Sequence, residues 1–188
     1  MNYFENYQKC DILDIIILKI LKGLIMEILD VYNVHGEKIG KTIERGTKLP
    51  EGEYIKVVSI YIKNGIRYLI QKTSEQKGHK IAMTGGAVSK GNDSFTQAII
   101  ECKEELGIDL KKECLKQVGT FYREDVMFDV FLYEDEDTDL EEYPFTLQES
   151  EVESIMWLTK NEIEDLILKE ELRESSCQSY LQFIKDRD

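Results

Sequence analysis

The sequence predicts an α+β fold in which a mixed β-sheet is covered by helices on both faces. Short runs rich in β-branched and aromatic residues recur after residue 26, and they are separated by turn-forming residues. One pair of these runs flanks Asn64-Gly65, the strongest short hairpin signal in the chain. Only a few segments with helical periodicity are interleaved with the strands, which favours a layered sandwich.

Two hairpins are predicted in the first half of the folded region. MEILDVYNV and KIGKTIE flank the turn-former His35-Gly36, and YIKVVSIYIK and IRYLIQK flank Asn64-Gly65. The glycine-containing segment TGGAVSKGND then leads into a helix, SFTQAIIECKEEL. This order places a glycine-rich loop directly before the start of a helix.

The second half adds three strands and two helices. LKQVGTFYR, VMFDVFLYE and VESIMWL are predicted strands, and the acidic EDEDTDLEE is a solvated linker because it lacks the glycine and spacing of an EF-hand. Thr159-Lys-Asn-Glu162 is a capping box that opens the helix IEDLILKEEL. A last helix is predicted over Cys177 to Lys185.

The chain divides into an extension, residues 1–25, and a single domain, residues 26–188. Charged residues interrupt the apolar stretch from Ile12 to Met26, so no uninterrupted apolar run spans a bilayer. The start MNYFENYQKC lacks the basic character of a signal peptide. Two alternatives stay open for the extension: an accessory amphipathic helix, or an overlong gene model whose true start is Met26.

Composition excludes several partners and sites. The 188 residues carry 37 acidic and 24 basic side chains, a formal net charge of −13, so neither nucleic acid nor an anionic membrane is an expected partner. The four cysteines form no CxxC pair, which indicates a reduced, cytoplasmic protein. His35 and His79 are too few for a histidine-rich zinc site.

The helix SFTQAIIECKEEL has distinct apolar and acidic faces. Ser94 and Gln97 fit an S-x-x-Q capping box, and Gly107 can end the helix in the left-handed conformation. At about 100° per residue, one apolar stripe should face the core. Its members are Phe95, Ala98, Ile99, Cys102 and Leu106.

Three glutamates occupy an adjoining face of the same helix. Glu101, Glu104 and Glu105 lie one turn apart, where like charges oppose helix formation. A divalent cation would remove this conflict, and magnesium is commonly held by a few carboxylates together with substrate phosphate oxygens. An ordinary acidic surface is the alternative on the glutamates alone.

The loop before the helix favours a phosphate ligand. Gly85-Gly86 allows close approach of the backbone, and such a loop can present N–H groups to phosphate. The segment is not a P-loop, because Asn92-Asp93 stands where Lys-Ser/Thr is required. A purely structural turn is the alternative explanation.

Together, loop and helix resemble the Nudix box, G-x5-E-x7-R-E-U-x-E-E-x-G-U with U a bulky aliphatic residue. Asn92 replaces the first Glu, Ile100 replaces the Arg and Cys102 stands at an aliphatic position. The layout from about Met26 to about Leu168 is similar to the bacterial Nudix branch whose N-terminal half resembles isopentenyl-diphosphate isomerase. The matching positions are Gly86, Glu101, Glu104, Glu105, Gly107 and Ile108.

The resemblance implies a Nudix-type α/β/α sandwich that hydrolyses a nucleoside diphosphate linked to another moiety, or a related organic diphosphate. Glu101, Glu104 and Glu105 would bind Mg²⁺ or Mn²⁺, which lowers the pKa of a bound water. In the family the box Arg pairs with the first Glu and helps to orient the glutamate after the Arg. Both partners are replaced here, which leaves in question how Glu101 is held.

Catalytic and substrate-contacting residues are also implied. The general base is Glu101, Glu105 or, from the later LQESEVE segment, Glu151, for which a surface residue beside a strand is the alternative. Gly85, Gly86 and Arg123 are the expected contacts to substrate phosphate, although Arg123 is equally plausible as a strand-edge charge. The expected partner is a small-molecule diphosphate, and a homodimer stays open.

Two other functions compete with the hydrolase. The altered box is compatible with a non-catalytic Nudix scaffold that senses a nucleotide or ADP-ribose. The isomerase is disfavoured, because members of that group carry a catalytic Cys and several metal-binding His residues. The corresponding loop here, MTGGAVS, has neither.

Overall fold

A computed structural model describes residues 27–187 and gives the predicted α+β architecture. The two alternatives for residues 1–25 lie outside the described residues. Two short 3-10 turns, Glu75–Lys77 and Lys112–Cys114, interrupt the connections. In chain order the strands and helices are β1 (Ile28–Tyr32), β2 (Lys38–Glu44), β3 (Ile55–Asn64), β4 (Arg67–Thr73), β5 (Ile81–Ala82), α1 (Ser94–Leu106), β6 (Leu115–Arg123), β7 (Val126–Glu134), β8 (Val152–Thr159), α2 (Lys160–Leu168) and α3 (Glu174–Phe183).

A mixed six-stranded sheet forms the centre of the molecule. Its order is β5-β4-β3-β7-β6, with β8 paired to β4. β3 and β7 run parallel along their whole length, and the other pairs are antiparallel. β3 and β4 pair only beside their turn, at Lys63–Tyr68 and Asn64–Arg67. The glycine-rich loop lies against the freed edge of β3, where Val58 N donates to Gly86 O.

Helices cover both faces of this sheet, as the sequence predicts. Side chains of β3 alternate between two cores: Ile60 packs in the cluster with α1, and Tyr61 packs in the cluster with α2 and α3. The apolar stripe of α1 faces its core, because Ala98, Cys102 and Leu106 are fully buried. Phe95 and Ile99 of the same stripe are partly buried against it.

The first hairpin forms a separate two-stranded sheet that braces the loop before α1. Tyr32 of β1 and Tyr54 exchange two backbone hydrogen bonds of 2.8 and 2.9 Å, which join the hairpin to the start of β3. The amide of Lys90 donates to Ile28 O over 2.9 Å. The β1–β2 hairpin therefore fixes one side of the glycine-rich loop.

The start of α1 differs from the prediction. Asp93, not Ser94, caps the helix, and its carboxylate accepts from Thr96 N over 2.7 Å. Ser94 instead donates to the buried Asp129 over 2.5 Å. The S-x-x-Q pattern matched a capping box by spacing, but Asp is an equally good cap one residue earlier.

The C-terminal helices also differ in their bounds. α2 ends at Leu168, before the predicted Leu172, and Glu170 then takes a left-handed conformation with φ 57°. α3 begins at Glu174 rather than Cys177, and the short strand β5 was not predicted. None of the helices within residues 27–187 is long and apolar enough to cross a membrane.

Candidate active site

One cleft of about 520 Å³ collects most of the predicted site residues. It lies between α1, the glycine-rich loop, β4 and the segment that precedes β8. The three glutamates of α1 line it, and so do Gly85, Gly86 and Glu151. Arg123 is the one predicted site residue that does not.

Glu105 is the most buried acid of the cleft, with 6% of its surface exposed. The side-chain amide of Gln71, on β4, donates to Glu105 Oε2 over 3.2 Å, and the backbone of Gly85 also hydrogen-bonds the carboxylate. Burial, and next the charge of Glu101, raise the pKa of Glu105 to about 8. The fold therefore holds this carboxylate where its negative charge is costly.

Glu101 lies against the glycine-rich loop. Its Oε1 accepts from Gln97 Nε2 over 2.8 Å. A Cβ on Gly86 would overlap the Glu101 carboxyl group, so only glycine lets the carboxylate lie against the loop backbone. Burial raises the pKa of Glu101 to about 7, the charge of Glu104 adds to the rise, and the Gln97 hydrogen bond opposes it.

The three carboxylates form an open set of hard oxygen donors. Glu104 is exposed at the cleft surface, while Glu101 and Glu105 lie deeper. Within residues 27–187 no group of three or more His, Cys, Asp or Glu side chains is arranged so that it could hold a metal ion by itself. The three glutamates would therefore hold Mg²⁺ or Mn²⁺ together with waters and substrate phosphates, which is how magnesium is usually bound. The raised pKa values of the buried Glu105 and the partly buried Glu101 show that their negative charge is costly in the free protein, and a cation would stabilise it.

The end of α1 positions the opposite wall of the cleft. Gly107 ends the helix at φ 71°, and a Cβ there would lie 2.9 Å from Cβ of Thr146. The amides of Thr146 and Gln148 donate to the last carbonyls of the helix, Leu106 O and Glu105 O, each over 2.9 Å. This attachment holds the segment that leads to Glu151 beside the glutamates.

Glu151 lies close enough for its charge to contribute to the raised pKa of Glu105. Its carboxylate forms an ion pair with Lys77 over 2.8 Å. Glu151 is therefore a carboxylate within the cleft that is not part of α1. It stays a prediction as the general base.

The basic residues of the cleft were not predicted. Arg45 pairs with Glu27 over 2.7 Å, and Lys77 pairs with Glu151. Arg173, which precedes α3, also lines the cleft, and no ion pair to it is found within residues 27–187. Sequence reasoning missed Arg173 because a long-range backbone contact brings it to the site: the amide of Arg173 donates to Ile81 O of β5 over 2.8 Å.

Arg123 lies away from the cleft and pairs with Glu174 over 2.5 Å. It ends β6, the edge of the sheet opposite β4 and β5, so the sheet order separates it from the glutamates. The structure thus corrects its predicted contact with substrate in favour of the strand-edge alternative. Sequence position alone did not reveal which edge β6 would occupy.

Comparisons with known proteins point to one family. A family model described as NUDIX domain matches residues 53–178. Nudix hydrolase 3 of Arabidopsis thaliana is 29% identical over 160 residues, which are 77% of this chain but 21% of that protein. The Nudix hydrolase lmo0368 of Listeria monocytogenes is 33% identical over 146 residues, 75% of this chain and 85% of that one.

A solved structure supports the architecture. DR0079 from Deinococcus radiodurans aligns with a TM-score of 0.68 and covers 84% of this chain and 99% of its own. The two sequences are 18% identical, so the likeness concerns the fold.

Proposed function

Because this chain belongs to the Nudix hydrolase family, we propose that it hydrolyses a nucleoside diphosphate linked to another moiety, or a related organic diphosphate, by attack of water on phosphorus. Membership makes it a Nudix-type hydrolase, and hydrolases of this family generally use divalent metal ions. The substrate class and the use of Mg²⁺ or Mn²⁺ go beyond family membership and are proposed here.

The proposal rests on one observation: the buried Glu105 and the partly buried Glu101, both with raised pKa values, share a cleft with a third glutamate. Neither Glu101 nor Glu105 takes part in an ion pair with a basic residue of the described chain. A bound divalent cation would neutralise the diphosphate charge and activate water by lowering its pKa. Glu101, Glu104 and Glu105 are the residues proposed to hold it.

The remaining cleft residues divide the other tasks. Glu101, Glu105 and Glu151 are the carboxylates that could accept the proton of the attacking water. Arg173 is the basic side chain proposed to contact a phosphate, because it lines the cleft without an acidic partner in the described residues. Gly85 and Gly86 bring the loop backbone close to the carboxylates and leave room for substrate.

Family membership favours the hydrolase over the non-catalytic sensor. An isomerase-like N-terminal half, a cytoplasmic location and a homodimer stay predictions from the sequence. We propose a small-molecule diphosphate as the partner, since the cleft walls are rich in acids that suit a cation-bound phosphate rather than a polyanionic nucleic acid.

A panel of diphosphate substrates tests the proposal. With Mg²⁺ present, release of phosphate or of a nucleoside monophosphate is expected for at least one substrate. Glu104→Gln should lower kcat/KM by roughly a hundredfold or more, the scale of removing a key electrostatic group. Glu113→Gln, an exposed acid outside the cleft, is the matched control and should retain activity.

Tight binding of a substrate without product, unchanged by Glu104→Gln, would support the sensor instead. Activity that persists in the presence of a strong chelator would contradict the role of the cation.

A further inference from the structure

Two buried glutamines lie directly behind the two deepest glutamates of the cleft. Gln71, on β4, is 3% exposed, and Gln97, on α1, is 4% exposed. Each uses its side-chain nitrogen to contact one carboxylate: Gln71 contacts Glu105 and Gln97 contacts Glu101. The same arrangement thus occurs twice, from two different elements of the fold.

The orientation of the Gln97 amide follows from its other partners. Its Oε1 accepts from Ser89 N over 3.2 Å and from Asn92 Nδ2 over 2.8 Å. A backbone N–H can only donate, so the atom facing Ser89 must be the carbonyl oxygen. Gln97 Nε2 therefore faces Glu101 and donates to it over 2.8 Å.

Gln71 repeats this pattern at the other end of the glycine-rich loop. Its Oε1 accepts from Thr84 Oγ1 over 3.3 Å, while its Nε2 donates to Glu105 over 3.2 Å. The acceptor side of both amides thus binds the loop, at Thr84 for Gln71 and at Ser89 and Asn92 for Gln97. Both donor sides point at carboxylates.

An amide has a specific advantage over a basic residue at these two positions. Lys or Arg would orient a carboxylate but also neutralise it, and would compete with a cation for the same charge. A neutral N–H donor fixes the direction of the carboxylate and leaves its charge available. An apolar residue would leave the buried carboxylate oxygen without a partner, which is costly.

We propose that Gln71 and Gln97 are positioning residues that aim Glu105 and Glu101 at a divalent cation, with the glycine-rich loop holding each amide in place. This inference rests on the proposed function, because it assumes that these two glutamates hold a cation. It assigns the orientation of Glu101 to Gln97 and to Asn92, which acts through Gln97.

Mn²⁺ titration of the metal-free protein, followed by calorimetry, tests the proposal without substrate. Gln97→Met preserves the length of the side chain and removes both hydrogen-bonding groups. Loss of a residue that orients a metal ligand typically weakens metal affinity roughly 10- to 100-fold. We expect a loss of that size for Gln97→Met and a similar one for Gln71→Met.

Gln117→Met is the matched control. Gln117 also donates its amide to a buried carboxylate, that of Asp129 over 3.1 Å, but it does not line the cleft. Its substitution should leave Mn²⁺ affinity unchanged. Equal Mn²⁺ affinity in wild type and in folded Gln97→Met would overturn the positioning role alone. A wild-type protein without saturable Mn²⁺ binding would overturn the proposed function as well.

Asn92→Ala keeps the proposal testable if Gln97→Met does not fold. Asn92 donates to Gln97 and has no hydrogen bond to a glutamate of the cleft. Its substitution should weaken Mn²⁺ binding severalfold, and wild-type affinity would contradict the proposal. Where Gln97→Met folds, the double variant should bind like Gln97→Met, since interacting residues are non-additive. Additive effects would show that Asn92 does not act through Gln97, and would overturn that part of the inference.

Discussion

Acidic side chains adjoin α1 at two places, and the fold surrounds them with different partners. Asp129, 3% exposed, lies beside the start of the helix and accepts hydrogen bonds from Ser94 over 2.5 Å and Thr120 over 2.6 Å. The ammonium of Lys56 lies 3.4 Å from its carboxylate. Glu101 and Glu105, in the cleft, instead accept hydrogen bonds from neutral amides. The charge of Glu101 acts on Glu105, while the charges of Glu104 and, more weakly and with opposite sign, Arg45 act on Glu101.

The comparison separates a structural acid from a ligand site. The protein supplies a cation and several donors to Asp129, so its charge is balanced within the fold. Burial is the largest cause that raises the pKa of both Glu101 and Glu105, and neighbouring glutamates add to the rise at each. The fold therefore leaves much of their charge to be balanced from outside. Unbalanced charge, rather than burial alone, is what marks the cleft as the functional site.

The largest expected effects come from replacing one carboxylate at each place with an amide of the same shape, because this removes the charge and little else. Glu105→Gln should lower kcat/KM by roughly a hundredfold or more, because a charge that acts in the transition state is lost. Above about pH 8, where wild-type Glu105 loses its proton, the metal-free variant should be more stable than wild type, since a costly buried charge is absent. Kinetics with a diphosphate substrate and thermal melting check both results.

Asp129→Asn should show the opposite profile. It leaves Lys56 without its anion, at a cost of about 2 kcal/mol or more in the free energy of unfolding, while activity per folded molecule is retained. A destabilised Glu105→Gln with full activity, or an inactive but stable Asp129→Asn, would show that the two sites had been assigned the wrong way round.

The pH dependence of stability tests whether the charges of Glu101 and Glu105 are costly in the folded protein. The pKa of Glu101 is about 7 and that of Glu105 about 8 in the folded state, whereas the ordinary pKa of a glutamate in an unfolded chain is 4.5. Both side chains therefore keep their protons to a higher pH when the protein is folded. The folded protein therefore binds more protons between these limits, and the free energy of unfolding must fall as pH rises from about 5 to about 8. The expected loss is on the order of a few kcal/mol.

Melting of the metal-free protein across that pH range measures this slope. The double variant Glu101→Gln/Glu105→Gln should lose most of it, and Mg²⁺ should stabilise wild type more at pH 8 than at pH 5.5. A slope that survives in the double variant would place the titrating groups elsewhere.

Local patterns predicted much of the fold and part of the site. Apolar residues recur every second position along the strands and about every 3.6 positions along α1, because these are the spacings at which side chains face the core. The sequence therefore predicted both kinds of element. The cluster of Glu101, Glu104 and Glu105 could also be predicted, because helical spacing places these residues on one face. Such features depend on neighbours within about one turn or one hairpin.

Features that depend on long-range packing were missed. Gln71 is one polar residue in a strand and gives no local sign that it faces Glu105 on α1. Gln97 was interpreted as part of a capping box, because its spacing from Ser94 fits that motif as well as it fits a contact to Glu101 one turn later. Arg123 was predicted to contact substrate but does not line the cleft, whereas Arg173 was not predicted and does line it. The order of strands in the sheet decides both positions, and that order cannot be derived from the strand sequences alone.

A smaller effect on stability and activity is expected where the cleft wall is attached to the end of α1. Gly107→Ala places a Cβ at φ 71°, 2.9 Å from Thr146, and should cost about 1–2 kcal/mol for the left-handed backbone. The melting temperature should fall by roughly 2–8 °C. Activity should fall too, because the segment leading to Glu151 is displaced. Gly46→Ala, also at positive φ but with open space around it, should lose stability and keep activity.

The smallest expected effect distinguishes the two arginines. Arg173 lines the cleft beside the carboxylates, whereas Arg123, on the edge strand β6, does not line it and pairs with Glu174. Arg173→Ala should raise KM about three- to tenfold with little change in kcat, the scale of one lost hydrogen bond. Arg123→Ala should leave both constants unchanged, because an exposed ion pair contributes little. If Arg123→Ala raises KM and Arg173→Ala does not, substrate extends toward β6, and the cleft beside α1 holds only the cation.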